Sequence, residues 1–132
     1  MSNRIFNPDG VPPPVGHYSH LAEVAPGRRV LHCAGQVGRD EDGSTPEAFA
    51  DQARLVWRRL QAILAANDME LGDVVKIVIF MTDMAADIAT LREVHAEVLG
   101  PDVRPASTGI GVTALALPEL KLEIELVAAR EG

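Results

Sequence analysis

The sequence predicts one α+β domain with the element order β-β-α-β-α-β-β and both helices on one face of a mixed sheet. Three stretches carry that prediction. Residues 46–67 place Phe49, Ala53, Val56, Leu60, Ile63 and Leu64 at helical spacing, which makes one apolar face. Residues 73–81, DVVKIVIFM, form a nearly continuous apolar run rich in β-branched side chains, as suits a strand covered on both sides. Residues 120–128, LKLEIELVA, alternate strictly between apolar and polar, as a half-covered strand does.

The remaining elements follow in order. Residues 10–16, GVPPPVG, carry three successive prolines and form an extended loop, since proline enters neither a helix interior nor a central strand. Residues 17–25 read as a strand, Pro26-Gly27 as a turn, and residues 29–34 as the second strand of a hairpin. A polar loop, residues 39–45, leads to the long helix, with Thr45 as its expected N-cap and Pro46 as its first residue. Asp51, Arg54, Arg58 and Arg59 lie on its other faces. A second helix over residues 83–99 gathers Ile88, Leu91, Val94, His95 and Val98 on one side and stops at Gly100-Pro101. Residues 107–117 are β-rich but broken by glycine, and Pro118-Glu119 turns the chain into the last strand.

Composition narrows the class of protein. The 132 residues fit one domain spanning 1–132, and 47% hydrophobic residues allow a real core. Aromatics are only 4%, so that core is expected to be built from Leu, Ile, Val and Ala. A net charge of −7 opposes nucleic acid as a partner, because phosphate neutralisation needs surplus Lys and Arg. Cys33 is the single cysteine, so no intramolecular disulfide forms. Residues 1–10 contain no apolar signal segment, and no apolar run reaches the roughly 20 residues that span a bilayer. The expectation is a cytoplasmic protein with no membrane partner. Two helices cover one sheet face only, and nothing else in the chain can cover the other, so self-association is expected.

Five stretches, in this order and at these separations, resemble the RidA/YjgF proteins, once labelled endoribonuclease L-PSP. They are VGHYSHLAEV, CAGQVGRD, GDVVKIVIFMTDM, RPASTGIGV and LKLEIELVA, and the resemblance runs from about residue 14 to residue 128. It implies a chorismate-mutase-like fold and a homotrimer whose sheets make a central β-barrel, with small-molecule clefts between subunits. It also implies hydrolysis of reactive imines and enamines to ketoacids and ammonia, with no metal or organic cofactor.

Such chemistry needs a cation for the substrate carboxylate, a proton relay, and a backbone donor at the reacting carbon. The family arginine sits in a Pro-Ala-Arg-Ser stretch. Here the stretch reads Pro105-Ala106-Ser107-Thr108, so Ser107 stands in the arginine's place. A hydroxyl cannot supply a guanidinium's charge and two-point grip. Arg104, three positions earlier, and Arg92, where the family often has an asparagine, are the candidate substitutes. The competing readings are a surface or subunit-contact arginine for Arg104 and a solvated helix face for Arg92.

Glu123 matches the family glutamate that holds the hydrolytic water, and is the catalytic candidate; a plain solvated strand face is the alternative. Tyr18, the single tyrosine, matches a cleft-rim tyrosine, against a packing role. Gly35 and Gln36 match a Gly-Gln pair at which backbone approaches ligand, against a simple strand-end turn. Gly109 stands where many members carry a cysteine, Ala34 where a serine is usual, and His95 where a tyrosine is usual. Cys33 reads as a small buried hydrophobe rather than a nucleophile. His17, His20, His32 and His95 do not have metal-ligand spacing, so no metal is expected.

The reading that results is a homotrimer binding small polar metabolites in intersubunit clefts, with weak or absent imine hydrolysis. An imine deaminase with a relocated cation is one alternative and a ligand-free regulatory trimer is another. A ribonuclease or translation inhibitor is disfavoured by the acidic balance.

Overall fold

A computed structural model of the chain describes residues 3–132. Met1 and Ser2, part of the segment read as lacking a signal, lie outside the described residues. The elements are β1 (Arg4–Phe6), β2 (Leu21–Glu23), β3 (Arg29–Val37), α1 (Phe49–Ala65), β4 (Val74–Met81), α2 (Met84–Leu99), β5 (Ala106–Gly111) and β6 (Leu122–Arg130), with a 3-10 turn (Leu71–Asp73) before β4.

The main sheet has four strands in the order β3-β6-β4-β5. β6 runs antiparallel to both neighbours, and β4 pairs in parallel with β5 through the α2 crossover. The apolar run in β4 and the alternation in β6 explain why these two strands are central. Ile77, Ile79 and Met81 of β4 and Leu122, Ile124, Leu126 and Ala128 of β6 are buried in one core with Phe49, Ala53, Val56, Trp57, Leu60 and Leu64 of α1. Leu91, Val94 and Leu99 of α2 join the same core, so both helices lie on one sheet face, as the sequence predicts.

On the other face, Val78, Phe80, Glu123, Glu125 and Val127 are half-buried, while Val30 and Ile110 are 43% and 39% exposed. The sheet is open, with β3 and β5 as its edges.

Two local readings change. The hairpin expected between residues 17–25 and 29–34 does not form: β2 is three residues long and pairs antiparallel with β1, making a separate ribbon. Residues 17–20 run instead beside β5, where the Ser19 amide donates to the Pro105 carbonyl at 3.2 Å and Ser19 bridges Ala106. The α1 N-cap is Ala48, not Thr45, and no side chain caps it; the Thr45 hydroxyl is buried without a hydrogen-bond partner. Gln52, inside the first turn, ties that end of the helix to the chain around it. Fully buried, it donates to the Pro46 and Glu119 carbonyls at 2.9 and 3.0 Å and accepts from the Lys121 amide at 2.9 Å. Asp83 caps α2 by accepting from the Ala86 amide.

Candidate functional site

A cavity of about 200 Å³ opens where α2 passes the edge strand β5. Helical spacing puts Ile88, Leu91, Arg92 and His95 on one stripe of α2, and period-two alternation puts Ser107 and Gly109 on the same face of β5. Register aligns those two with Ile77 and Ile79 of β4, whose side chains face the helices. Val15, Gly16, His17 and Tyr18, in the segment that leads into β2, close the remaining side. The ring Nε2 of His17 donates to the Val103 carbonyl at 2.9 Å, which ties this segment to the loop after α2. Tyr18 meets His20 edge-on, with ring centroids 6.0 Å apart.

The cavity is lined by apolar Ile79, Ile88 and Leu91 and by polar His17, Tyr18, Arg92, His95 and Ser107. Arg92 is exposed, and its guanidinium makes no ion pair or hydrogen bond among the described residues; nor does the Ser107 hydroxyl. His95 is 6% exposed and stacks edge-to-face on the buried Trp57 at 5.4 Å. Burial pushes its imidazole down from 6.5 to about 4, with nearby His17 adding to the effect. It is therefore neutral at pH 7, and its Nε2 has no hydrogen-bond partner.

Tyr18, Arg92, Ser107 and Gly109 thus meet in one cavity. Gly35 and Glu123 meet elsewhere. The β3–β6 register shifts between Cys33 and Gln36, which fits one extra residue into β3, and Gly35 sits in that bulge against Glu123. A β-carbon at Gly35 would lie 2.7 Å from the Glu123 carboxyl carbon, so only glycine admits the carboxylate there. Strand alternation places Glu123 on the sheet face away from the helices, opposite to Ser107. One chain does not bring the two together.

Arg104 lines a separate groove with Ile5, Ser19, Gly72 and Asp102, and its Nε donates to the Pro101 carbonyl at 3.0 Å. Cys33 is half-buried against the core, and burial raises its thiol pKa, which disfavours the thiolate. Among the described residues no group of His, Cys, Asp and Glu is placed to hold a metal ion. Among the described residues no helix is long and apolar enough to cross a membrane. In the sequence, His17 and His95 lack metal-ligand spacing and His95 stands where the family usually has a tyrosine; the fold brings both to the cavity. Neither has a local signal for the cavity, although His17 adjoins Tyr18.

The sequence model of the family described as endoribonuclease L-PSP matches residues 10–130. A RutC family protein of Pyrococcus horikoshii is 33% identical over 99% of this chain and 100% of its own length. TdcF of Escherichia coli, provisionally named a reactive intermediate deaminase, is 35% identical over 98% of both chains. The crystal structure of the Rid family protein YyfB from Yersinia pestis superposes with a TM-score of 0.86 at 32% identity, covering 98% of this chain and 100% of that one. The match over nearly the whole length, in sequence and in fold, means that this chain belongs to the RidA/YjgF family.

Proposed function

We propose that this protein is a trimeric small-molecule binder of the RidA/YjgF type whose imine-hydrolysing activity is weak or absent. The observation that carries the proposal is the cavity itself: Tyr18, Arg92, Ser107 and Gly109 converge there, with serine at the position that resembles the family's arginine. A relative provisionally named a reactive intermediate deaminase supports reactive amino compounds as the substrate class to test.

Rapid hydrolysis requires the imine carbon to be held against an activated water, and a small misplacement can cost about 100-fold in rate. Ser107 removes the charge and the bidentate hold at the β5 edge. Glu123, on the other face, reaches a cleft only across a subunit boundary, so the catalytic reading also depends on the trimer. The half-buried Val78, Phe80 and Val127 on the outer sheet face supply the apolar surface such an assembly would cover. The net charge of −7 works against a nucleic-acid substrate.

The test is a coupled assay with freshly generated 2-iminopropionate, run on wild type and Ser107→Arg. Wild type should turn over at least about 100-fold more slowly than an arginine-bearing relative, and Ser107→Arg should gain activity. Wild-type rates equal to the relative's would refute the proposal.

A further inference from the structure

Arg92 holds an unusual position for a free cation. It projects from α2 at the cavity rim, one helical turn from both Ile88 and His95, and no carboxylate among the described residues pairs with it. Its Nε lies beside Gly16, since a β-carbon there would stand 3.9 Å away and 3.6 Å from the Tyr18 ring. The guanidinium therefore borders the entrance between the Tyr18 segment and α2. By contrast, Arg54 on α1 pairs with Glu97 at 2.9 Å and Asp51 at 3.4 Å, and Arg130 on β6 pairs with Asp73 at 3.5 Å.

A second observation comes from His95. This residue lines the same cavity, is more than nine-tenths buried, and leaves its Nε2 without a partner. That nitrogen is closed to solvent and the ring is neutral at pH 7, so His95 adds no second charge to the wall on which Arg92 stands. The Ser107 hydroxyl, on the β5 side of the cavity, is a further polar group without a hydrogen-bond partner among the described residues. Between these groups lie Ile79, Ile88 and Leu91.

We infer that Arg92 is the anion grip of this cavity, so that its ligand is a small carboxylate whose charged end lies against α2 and whose apolar body rests on Ile79, Ile88 and Leu91. The inference rests on the reading of this cavity as the ligand site. It adds the ligand's charge, its orientation and the residue that selects it. A grip on the helix wall instead of the strand edge turns the carboxylate toward α2 and rotates the rest of the molecule. That explains how the protein can retain carboxylate binding while the catalytic orientation is lost. A guanidinium offers two parallel donors to a carboxylate and one sign of charge, which an amide of the same shape cannot use.

The experiment uses isovalerate and its uncharged isostere isovaleramide at pH 7.5. Binding is followed by calorimetry and by the methyl NMR signals of Ile79, Ile88 and Leu91. The proteins are wild type, Arg92→Gln and Arg92→Lys, each in its native assembly. Wild type should bind isovalerate at least about fivefold more tightly than isovaleramide, the scale of a charge-assisted contact at a partly exposed site. Arg92→Gln should erase that preference while leaving isovaleramide affinity within about twofold, and Arg92→Lys should restore part of it. The amide is an internal control, because a folding defect would weaken both probes. If both probes shift the three methyls and Arg92→Gln leaves the preference intact, the grip assignment is overturned and the cavity reading stands. If neither probe shifts those methyls, both the grip and the cavity reading are overturned.

Discussion

His95 shows how one side chain can tie stability to pH. Its imidazole has an ordinary value of 6.5 and is pushed down to about 4 by burial against Trp57 and by His17. The folded protein therefore binds fewer protons at this site than the unfolded chain. Stability from this group is complete above pH 6.5 and is lost as pH falls toward 4. The shift corresponds to about 3 kcal/mol at most. His95→Phe, which keeps an aromatic ring against Trp57, should flatten the stability profile between pH 4 and 6.5 in urea melts. An unchanged pH slope in that variant would show that other groups set it. At Ser107 the relevant scale is chemical rather than thermodynamic: it lines the cavity, and exchanging it for arginine places a charge on that wall.

At the scale of elements, α1 is held to the sheet by one apolar stripe and one polar clamp. Leu60 is fully buried in the centre of that stripe, and Leu60→Ala should cost about 2–5 kcal/mol in denaturant melts, as buried leucine truncations do. A loss below about 1 kcal/mol would mean the helix face is not packed as described. Gln52 joins the start of α1 to the start of β6 through three backbone partners, so Gln52→Leu leaves two carbonyls and an amide unpaired at a partly buried junction. It should destabilise by about 1–3 kcal/mol although it adds apolar surface, and a stabilised variant would contradict that account. Gly38 belongs to the same junction: a β-carbon there would lie 2.7 Å from the Gln52 Cα, so the strand end and the helix can approach only through glycine.

For the whole molecule, the outer sheet face is the feature that a single chain leaves unfinished. It combines half-buried Val78, Phe80 and Val127 with exposed Val30 and Ile110, next to Glu123, Glu125 and the Lys76 ammonium, which donates to the Thr108 hydroxyl at 3.2 Å. We expect light scattering in dilute solution to report a particle of about three times the 14.1 kDa chain mass. Phe80→Glu should shift the particle toward the monomer, because a charge buried at an interface without a partner is costly. A wild-type monomer at micromolar concentration would refute the assembly. The trimer would also decide how Glu123 reaches a cavity, since within one chain it stands on the opposite face of the sheet from Ser107.

The sequence by itself determined the central elements and their order. The apolar stripe of α1, the β-branched run of β4 and the alternation of β6 are local periodicities, and local periodicity survives in the fold because it decides which face is buried. The family was also legible, through motifs that keep their spacing over most of the chain. Tertiary structure decided what depends on distant partners. The pairing of β2 with β1 instead of β3 rests on partners 15–19 positions back, and the path of residues 17–20 along β5 rests on a hydrogen bond from Ser19 to Pro105, 86 positions on. The start of α1 moved from Thr45 to Ala48 with no side-chain cap, and Gln52 inside the first turn ties that end to the loop before the helix and the turn before β6. The candidate residues divided in the same way: Tyr18, Arg92, Ser107 and Gly109 share a cavity, Gly35 and Glu123 share a bulge on the other face, and Arg104 lies in its own groove. Spacing along the chain can place a residue on a face of its own element. Only the packing of α2 against β5 could show that Arg92, His95 and Ser107 border the same space.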